Sequence, residues 1–389
     1  MPLSNEDSLR LNVLLAQKVS AIRIDEGKLI VYALTHKGEA KIQLNPSCRK
    51  DKYIKEVKDF LSTKALGVPG GFPMYISSWN RMGDLRNTNL DKLLLLGEEE
   101  AIAAIVNNKE ITADIANSAW WAVQSADNAR SMLMNQAVVD ADIGKELAKF
   151  LIEFLPFEED PMKMLISIRL VLYEDLISEQ DVLKLWKKAK SKNTLYVGFL
   201  DIRSNAIPEP VPEHENYAQL QDSLADLLDE KNPYALMICK LYSAQGQSFL
   251  KTAEAAFKRP PNYDVVGALI ESIRRYIFIN LPEAGQSQQQ YELGLSLNGQ
   301  PQTDINGITN MINELYHEDG ELVCSDELKA VKEIIPEFSQ QLQAILCLSR
   351  ISQTVLAPTI AKSTAVGTLM RKKLKLVFDP ILMNLRAFS

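Results

Sequence analysis

Residues 21–44 alternate between apolar or β-branched side chains and polar ones. The alternation is interrupted at Glu26-Gly27 and again at Lys37-Gly38. Alternation with two turns predicts three strands in a small antiparallel meander. Helical spacing of apolar residues flanks this segment, at residues 8–20 and 51–66, and residues 73–79 (PMYISSW) favour one more strand. We therefore predict a small α+β domain over residues 1–85.

From residue 90 to 203 the pattern changes to successive stretches with helical spacing. Residues 111–115 (ITADI) reappear 28 positions later as residues 139–143 (VDADI), and residues 177–182 (ISEQDV) are a looser copy. Helix pairs that recur at such intervals are typical of solenoids, in which each pair buries its apolar side against the next. We predict stacked, solenoid-like helix pairs over residues 90–203, with an irregular helical bundle as the alternative.

The strongest linker signal is at residues 204–215 (SNAIPEPVPEHE), where three prolines are spaced two apart. Proline removes amide donors and favours extended backbone in the residue before it. Residues 216–389 return to helical spacing, interrupted by a polar, glycine-containing stretch at 284–303. The chain is thus predicted to be mostly α, with a helical C-terminal domain after the linker.

Composition narrows the classes of protein to consider. The 389 residues are 46% hydrophobic and 24% charged, which suffices for a sizeable core. The net charge of −7 makes nucleic acid an unexpected partner, because phosphates are bound by basic surfaces. No apolar run reaches the length of a membrane span, and the acidic first residues do not resemble a secretory signal. We expect a cytoplasmic protein.

No set of residues predicts a reaction. The three histidines lie in separate segments, so no metal site is expected. The Gly70-Gly71 pair lacks the frame of a phosphate-binding loop and predicts a turn. The acidic runs at residues 98–100 and 158–160 precede helices, where negative charge is favourable, and are interpreted as caps. We therefore predict no catalytic, cofactor-binding or metal-binding residue and a protein that is not an enzyme.

Two features leave other functions open. Cys48 stands beside Arg49 and Lys50, and basic neighbours favour a thiolate, so Cys48 is a candidate reactive thiol. The alternative is an ordinary surface thiol. The basic runs at residues 184–190 and 371–375 are interpreted as solvated helix faces, with nucleic-acid binding by either run as an alternative. The second run lies on a predicted helix with an apolar stripe, which could also dock a partner or a membrane surface. That stripe comprises Val366, Leu369, Met370, Leu374 and Val377.

The adjacent pair Trp120 and Trp121 is the most informative aromatic feature. On a helical wheel Trp120 falls at the edge of the apolar stripe that the two repeat copies share, so we expect it to pack against the next helix. Trp121 falls among Asp114, Asn117 and Gln124 on the polar face. Its ring either packs on another part of this chain or serves as an anchor for a partner, a role that suits tryptophan.

Several stretches in the first 200 residues resemble the DsrS family, the sulfur reduction protein of sulfur-oxidising bacteria. They are residues 9–29 and 31–46, SAWWAVQSADNARSMLMNQAVV at 118–139, FLIEFLPFEEDP at 150–161, and LWKKAKSKNTLYVGFL at 185–200. The resemblance implies a cytoplasmic accessory protein of dissimilatory sulfur oxidation, linked to the reverse-acting sulfite reductase system. It carries over no functional residues.

Together these observations predict an adaptor, assembly factor or regulator that binds other proteins of the sulfur-oxidation system, with Trp120 and Trp121 as candidate contacts. The alternatives are a sulfur-carrying thiol protein that uses Cys48 and a nucleic-acid-linked regulator.

Overall fold

The computed structural model describes residues 3–67, 69–74, 90–278, 325–357 and 366–389. The extra strand predicted at residues 73–79 lies mostly outside these ranges, and the polar stretch at 284–303 lies wholly outside them. No helix in the described ranges is both long enough and apolar enough to cross a membrane.

The predicted meander is confirmed. Strands β1 (Val19–Asp25), β2 (Ile30–Thr35) and β3 (Gly38–Gln43) form an antiparallel sheet in the order β1-β2-β3. One face of this sheet carries Ile22, Val31 and Ala33, which are fully buried. They pack with side chains of the helices on either side of the meander in sequence, α1 (Asn5–Leu15) and α2 (Lys50–Leu66).

The first helix differs from its predicted bounds of 8–20. It begins at Asn5 because the Ser4 hydroxyl caps it, accepting the amide of Asp7 at 3.2 Å. It ends at Leu15, and Lys18 has a φ of 54°, a left-handed backbone conformation that turns the chain into β1. The prediction was wrong at both ends, since the cap lies upstream and residues 19–20 belong to the strand.

The remaining regular secondary structure in the described residues is helical. The helices are α3 (Leu90–Leu93), α4 (Glu99–Val106), α5 (Ala113–Ala122), α6 (Ala126–Met132), α7 (Gln136–Val139), α8 (Asp142–Phe154), α9 (Pro161–Leu172), α10 (Glu179–Ala189), α11 (Asn193–Ile202), α12 (Tyr217–Ser223), α13 (Ala225–Asp229), α14 (Pro233–Tyr242), α15 (Ala244–Lys258), α16 (Tyr263–Phe278), α17 (Asp326–Ile334), α18 (Ser339–Arg350) and α19 (Gly367–Arg386). Short 3-10 turns occupy Leu155–Phe157, Pro336–Phe338 and Gln353–Leu356. The mostly α fold class with a small α+β N-terminal region is confirmed.

The repeated sequence motifs mark helix starts. Thr112 caps α5 through the amide of Ile115 at 3.4 Å, and Ser178 caps α10 through the amide of Asp181 at 3.2 Å. The second copy of the motif, residues 139–143, leads into α8. This helix has no side-chain cap, because Ala141 occupies its N-cap position. Sequence neighbours pack in pairs, as α10 does with α11, while α11 also contacts α15 and α16 farther along the chain.

The chain packs as two compact units, residues 1–156 and 157–389. These limits coincide neither with the predicted boundary at 85–90 nor with the linker at 204–215, and the three-domain division stays a prediction. The linker segment is bonded within the second unit: the Val211 amide donates to the Ser248 hydroxyl at 2.8 Å, and the His214 amide donates to the Tyr242 carbonyl at 2.9 Å.

A buried carboxylate links three helices of the second unit. Asp201 of α11 pairs with Arg169 of α9 at 2.5 Å and with Arg275 of α16. The Asp201 side chain is only 4% exposed. Two guanidinium groups therefore compensate the cost of burying this charge, and the three charges together fix how the three helices meet.

Candidate interaction surface

Helix α5 places the two tryptophans on different sides. It packs against α4, α6 and α8 and against strand β1, all in the first unit. Because neighbouring residues on a helix point about 100° apart, Trp120 and Trp121 face different elements.

Trp120 is held in the interior, as the wheel predicted. It is 3% exposed, and its ring meets Phe150 of α8 edge-on with centroids 4.8 Å apart. Its indole nitrogen donates to the Glu146 carboxylate at 2.8 Å. A buried indole N–H needs an acceptor, and α8 supplies both that acceptor and an aromatic neighbour. Trp120 is therefore a packing residue.

Trp121 is half-buried and lies against the sheet. The guanidinium carbon of Arg23 in β1 is 4.9 Å from the centroid of the Trp121 ring and 4.6 Å from that of Tyr32. Both distances are within the range of cation–π interactions. The same Arg23 donates to the Glu39 carboxylate of β3 at 2.9 Å. We call Arg23, Tyr32, Glu39 and Trp121 the aromatic–arginine cluster.

The strand register explains why the cluster forms. Arg23 pairs with Tyr32 across β1 and β2, and Tyr32 pairs with Lys41 across β2 and β3. Cross-strand partners share one face of a sheet, so these three side chains lie on the face opposite the core. Trp121 covers part of this outer face, while Glu39 and Lys41 remain exposed.

The arginine at the centre of the cluster is only partly solvated. The side chains of Arg23 and Glu39 are 42% and 41% exposed, yet the Arg23 Nε is shielded from solvent and has no hydrogen-bond partner in the described structure. Both aromatic rings lie within cation–π distance of the same guanidinium. The cluster is thus held by stacking and by one half-exposed ion pair, and such a pair contributes modestly to stability.

Cys48, the candidate thiol, is placed away from this cluster. It is half-buried against the core between the sheet and α2, and its sulfur lies 3.6 Å from the Arg49 carbonyl, to which it donates. The Arg49 guanidinium lies 3.7 Å from Asp51. One of the two basic neighbours on which the reactive-thiol prediction rests therefore faces a carboxylate, the other, Lys50, donates to the Gly27 carbonyl at 2.8 Å, and the reactivity of Cys48 stays a prediction.

The other described thiols are in apolar surroundings. Burial raises the pKa of Cys239 to about 11, and burial also raises the pKa of Cys347, which Arg350 partly opposes. Both shifts favour the uncharged thiol over the nucleophilic thiolate. Cys324 lies outside the described residues. In the described part of the chain no group of three or more His, Cys, Asp or Glu side chains is arranged to hold a metal ion.

The two acidic runs behave differently from each other. Asp160 caps α9 as expected, accepting the amide of Met162 at 2.8 Å. Glu98 precedes α4, but its carboxylate accepts the amide of Phe72 at 2.9 Å instead of capping its own helix. Glu98 is 7% exposed, and its burial raises the pKa of its carboxyl group. Glu98 thus occupies the N-cap position of α4 without a side-chain cap hydrogen bond, while Glu99 and Glu100 lie in the first turn, as expected for the run.

The first basic run lies mostly on a solvated, ion-paired helix face. Lys184 pairs with Asp181 at 2.8 Å, and Lys190 pairs with Glu209 at 3.3 Å. Trp186, within the same run, is buried and donates to the Glu209 carboxylate at 3.2 Å. The run thus packs on its own chain, through the segment 204–215.

Sequence reasoning missed the residues that cover Trp121. The alternation places Arg23 and Tyr32 on the polar face of two predicted strands, and this position was the one hint that they share a surface. Nothing in the local pattern pairs them with a helix so distant in sequence. It also missed Leu376 and Met383, which are exposed on α19 and belong to no stripe that we predicted.

Comparison with protein-family models, with curated proteins and with solved structures finds no match to this chain.

Proposed function

We propose that this chain is a non-catalytic interaction protein and that its binding surface is the aromatic–arginine cluster on the outer face of the sheet. It acts as an adaptor, assembly factor or regulator for proteins of dissimilatory sulfur oxidation in the cytoplasm. The sulfur context rests on the resemblance of the first 200 residues to the DsrS family, and the choice of surface rests on the geometry of the cluster.

The observation that carries the proposal is that the half-buried Arg23 guanidinium lies within cation–π distance of both the Tyr32 and the Trp121 ring. Tryptophan, tyrosine and arginine are the residue types that contribute most to protein–protein binding energy. Stacking fixes their side chains before a partner arrives, which lowers the entropy lost on binding. The charged rim of Glu39 and Lys41 supplies the polar surround of such a surface.

The electrostatics of the surface favour a partner with both apolar and charged groups. Lys41 is exposed at the edge of the cluster, and Glu39 forms an ion pair with Arg23. Mixed charge beside aromatic rings is typical of protein interfaces, whereas a nucleic-acid site needs a mainly basic face. This pattern supports a protein partner.

The direct test is site-specific photo-crosslinking in sulfur-oxidising cells. The full chain carries a photo-activatable phenylalanine derivative in place of Lys41, beside the cluster, or in place of the exposed Lys187 on α10 as a matched control. We expect the probe at position 41 to trap a protein of the sulfur-oxidation system and the probe at position 187 not to trap it. Adding Trp121→Ala to the first variant should lower the yield at least about tenfold, as expected for an anchor residue.

Two results would contradict the proposal. One is equal trapping at positions 41 and 187, and the other is trapping at 41 that Trp121→Ala does not change. Trapping of proteins with no link to sulfur metabolism would support the binding surface but contradict the proposed role in sulfur oxidation.

A further inference from the structure

Helix α19 carries two well-exposed leucines on its solvent side. Leu369 and Leu376 are 57% and 83% exposed, and no other large hydrophobic side chain in the described ranges is as exposed as Leu376. The two are seven residues apart, so on an ideal helix they point in nearly the same direction, with an offset of about 20°. They form an apolar strip that would gain free energy by leaving water.

The opposite side of α19 is fully packed, so the leucines are not exposed because the helix lacks a core. It contacts α15 and α18 of the same unit. The buried side comprises Met370, Leu374, Val377, Ile381 and Leu385. Three members of the stripe predicted from sequence, Met370, Leu374 and Val377, belong to this side. The other two, Val366 and Leu369, are exposed, so the predicted stripe divides between two sides of the helix.

Lysines flank the exposed leucines on both sides. On a helical wheel centred on Leu376, Lys372 lies about 40° to one side, Lys373 about 60° to the other, and Lys375 about 100° away beyond Lys372. All three lysines are exposed. Neither Lys372 nor Lys375 has an ion-pair partner among the residues that the structure describes. We call Leu369, Leu376 and these three lysines the basic–leucine face.

The charge around this face is strongly positive. Residues 366–378 contain four basic residues and no acidic one, a formal charge of +4 in a chain whose net charge is −7. The basic residues are Arg371, Lys372, Lys373 and Lys375. Asp379 is the single acidic residue of α19, and Arg386 in its last turn already pairs with Glu254. The face therefore selects an anionic occupant, since like charges repel.

The types of side chain distinguish between anionic occupants. A nucleic acid offers phosphates to lysines but no apolar layer to leucines, and the face has no aromatic ring on which a base stacks. Lysine is depleted at protein–protein interfaces, and leucine is under-represented among the residues that dominate their binding energy. An anionic bilayer accepts both types. Leucines enter the boundary between headgroups and acyl chains, while lysines extend their aliphatic stems and reach the phosphates.

We propose that the basic–leucine face binds peripherally to a membrane surface rich in anionic lipids, with Leu369 and Leu376 inserted and the lysines on lipid phosphates. In this arrangement α19 lies along the surface and does not cross the bilayer. The cytoplasmic leaflet, with its negative surface potential, is the kind of membrane that such a face fits. The proposal concerns the second unit and does not rest on the proposed function, whose surface lies in the first.

The test is co-sedimentation of the full chain with vesicles of equal parts phosphatidylserine and phosphatidylcholine, compared with vesicles of phosphatidylcholine alone. We expect binding to the anionic vesicles only, and added salt should weaken it. Lys372→Glu combined with Lys375→Glu should lower the partition coefficient at least about tenfold. The matched control is Lys187→Glu combined with Lys188→Glu, at exposed lysines of α10. It changes the net charge equally and should leave binding unchanged, and circular dichroism checks that both variants are folded.

A fluorescence measurement tests whether the leucine strip inserts. In Leu376→Trp the added tryptophan should be quenched by lipids with brominated acyl chains once the chain is bound to anionic vesicles. Leu183→Trp, at a leucine of α10 that is 47% exposed, is the control and should show no quenching beyond that of the wild-type chain.

Four results would overturn the proposal. They are equal binding of the wild-type chain to both kinds of vesicle, binding that the Lys372 and Lys375 reversal leaves intact, an equal loss in the α10 control, and unquenched emission from bound Leu376→Trp. Retention of the chain on polyglutamate without binding to phosphatidylserine vesicles would also overturn it, in favour of an acidic protein as the occupant.

Discussion

Trp120 and Trp121 are neighbours in sequence, yet the surroundings of their rings differ. Trp120 has an aromatic neighbour and a carboxylate acceptor on α8, and almost none of its surface is exposed. Trp121 rests on an arginine of the sheet and is half-buried, with no hydrogen bond from its indole in the described structure. The first arrangement is typical of a structural residue, and the second leaves binding capacity unused.

Helix α5 also packs against two neighbours, α8 and the sheet, through different sides. The side of α5 that carries Trp120 joins it to α8, and the side that carries Trp121 joins it to the outer face of the meander. Helix and sheet thus meet through a polar contact, Arg23 on Trp121, on the face of the sheet away from its core. Contacts of this kind contribute less to stability than core packing and tolerate substitution better.

The largest effect is expected for Trp120→Ala. Removing a buried indole leaves a cavity, so the free energy of unfolding should fall by about 3–5 kcal/mol. Urea denaturation followed by circular dichroism measures it. Trp120→Phe is the control, since it keeps a ring beside Phe150 and loses the hydrogen bond to Glu146. A loss below about 1 kcal/mol for Trp120→Ala would mean that the ring is not a core element.

A smaller effect is expected for Trp121→Ala. The substitution removes one ring from the Arg23 stack while Tyr32 and Glu39 remain, so the free energy of unfolding should fall by only about 1 kcal/mol. The same denaturation experiment compares it directly with the Trp120 variants. If the two alanine variants were equally unstable, Trp121 would be a structural residue and the contrast between the two sides of α5 would disappear.

Much of the local architecture follows from the sequence. Alternation between polar and apolar residues located the three strands, because one face of the sheet is more deeply buried than the other. The acidic run at residues 158–160, interpreted as a cap, marked the start of α9, which Asp160 caps. Helical spacing also separated the buried Trp120 from the more exposed Trp121. These are local signals, and each depends on a few residues close together in the chain.

What the sequence did not predict depends on contacts between distant segments. The Arg23–Trp121 stack joins β1 to α5, and the Glu98 carboxylate reaches the Phe72 amide instead of its own helix. Asp7, interpreted only as an acidic N-terminal residue, is fully buried and accepts the hydroxyl of Tyr53 at 2.5 Å. Periodicity cannot reveal such pairs, because it reports which side of an element is apolar and not what covers it.

The most direct test of the account is the amount of sulfur-oxidation partner that the full chain captures from chemically cross-linked cells, compared between Trp121→Ala and Tyr173→Ala. Tyr173 follows α9 and is 45% exposed, so its loss controls for removal of a surface aromatic ring. The account predicts at least about a tenfold loss of capture for Trp121→Ala and wild-type capture for Tyr173→Ala. Equal capture by the two variants would contradict it.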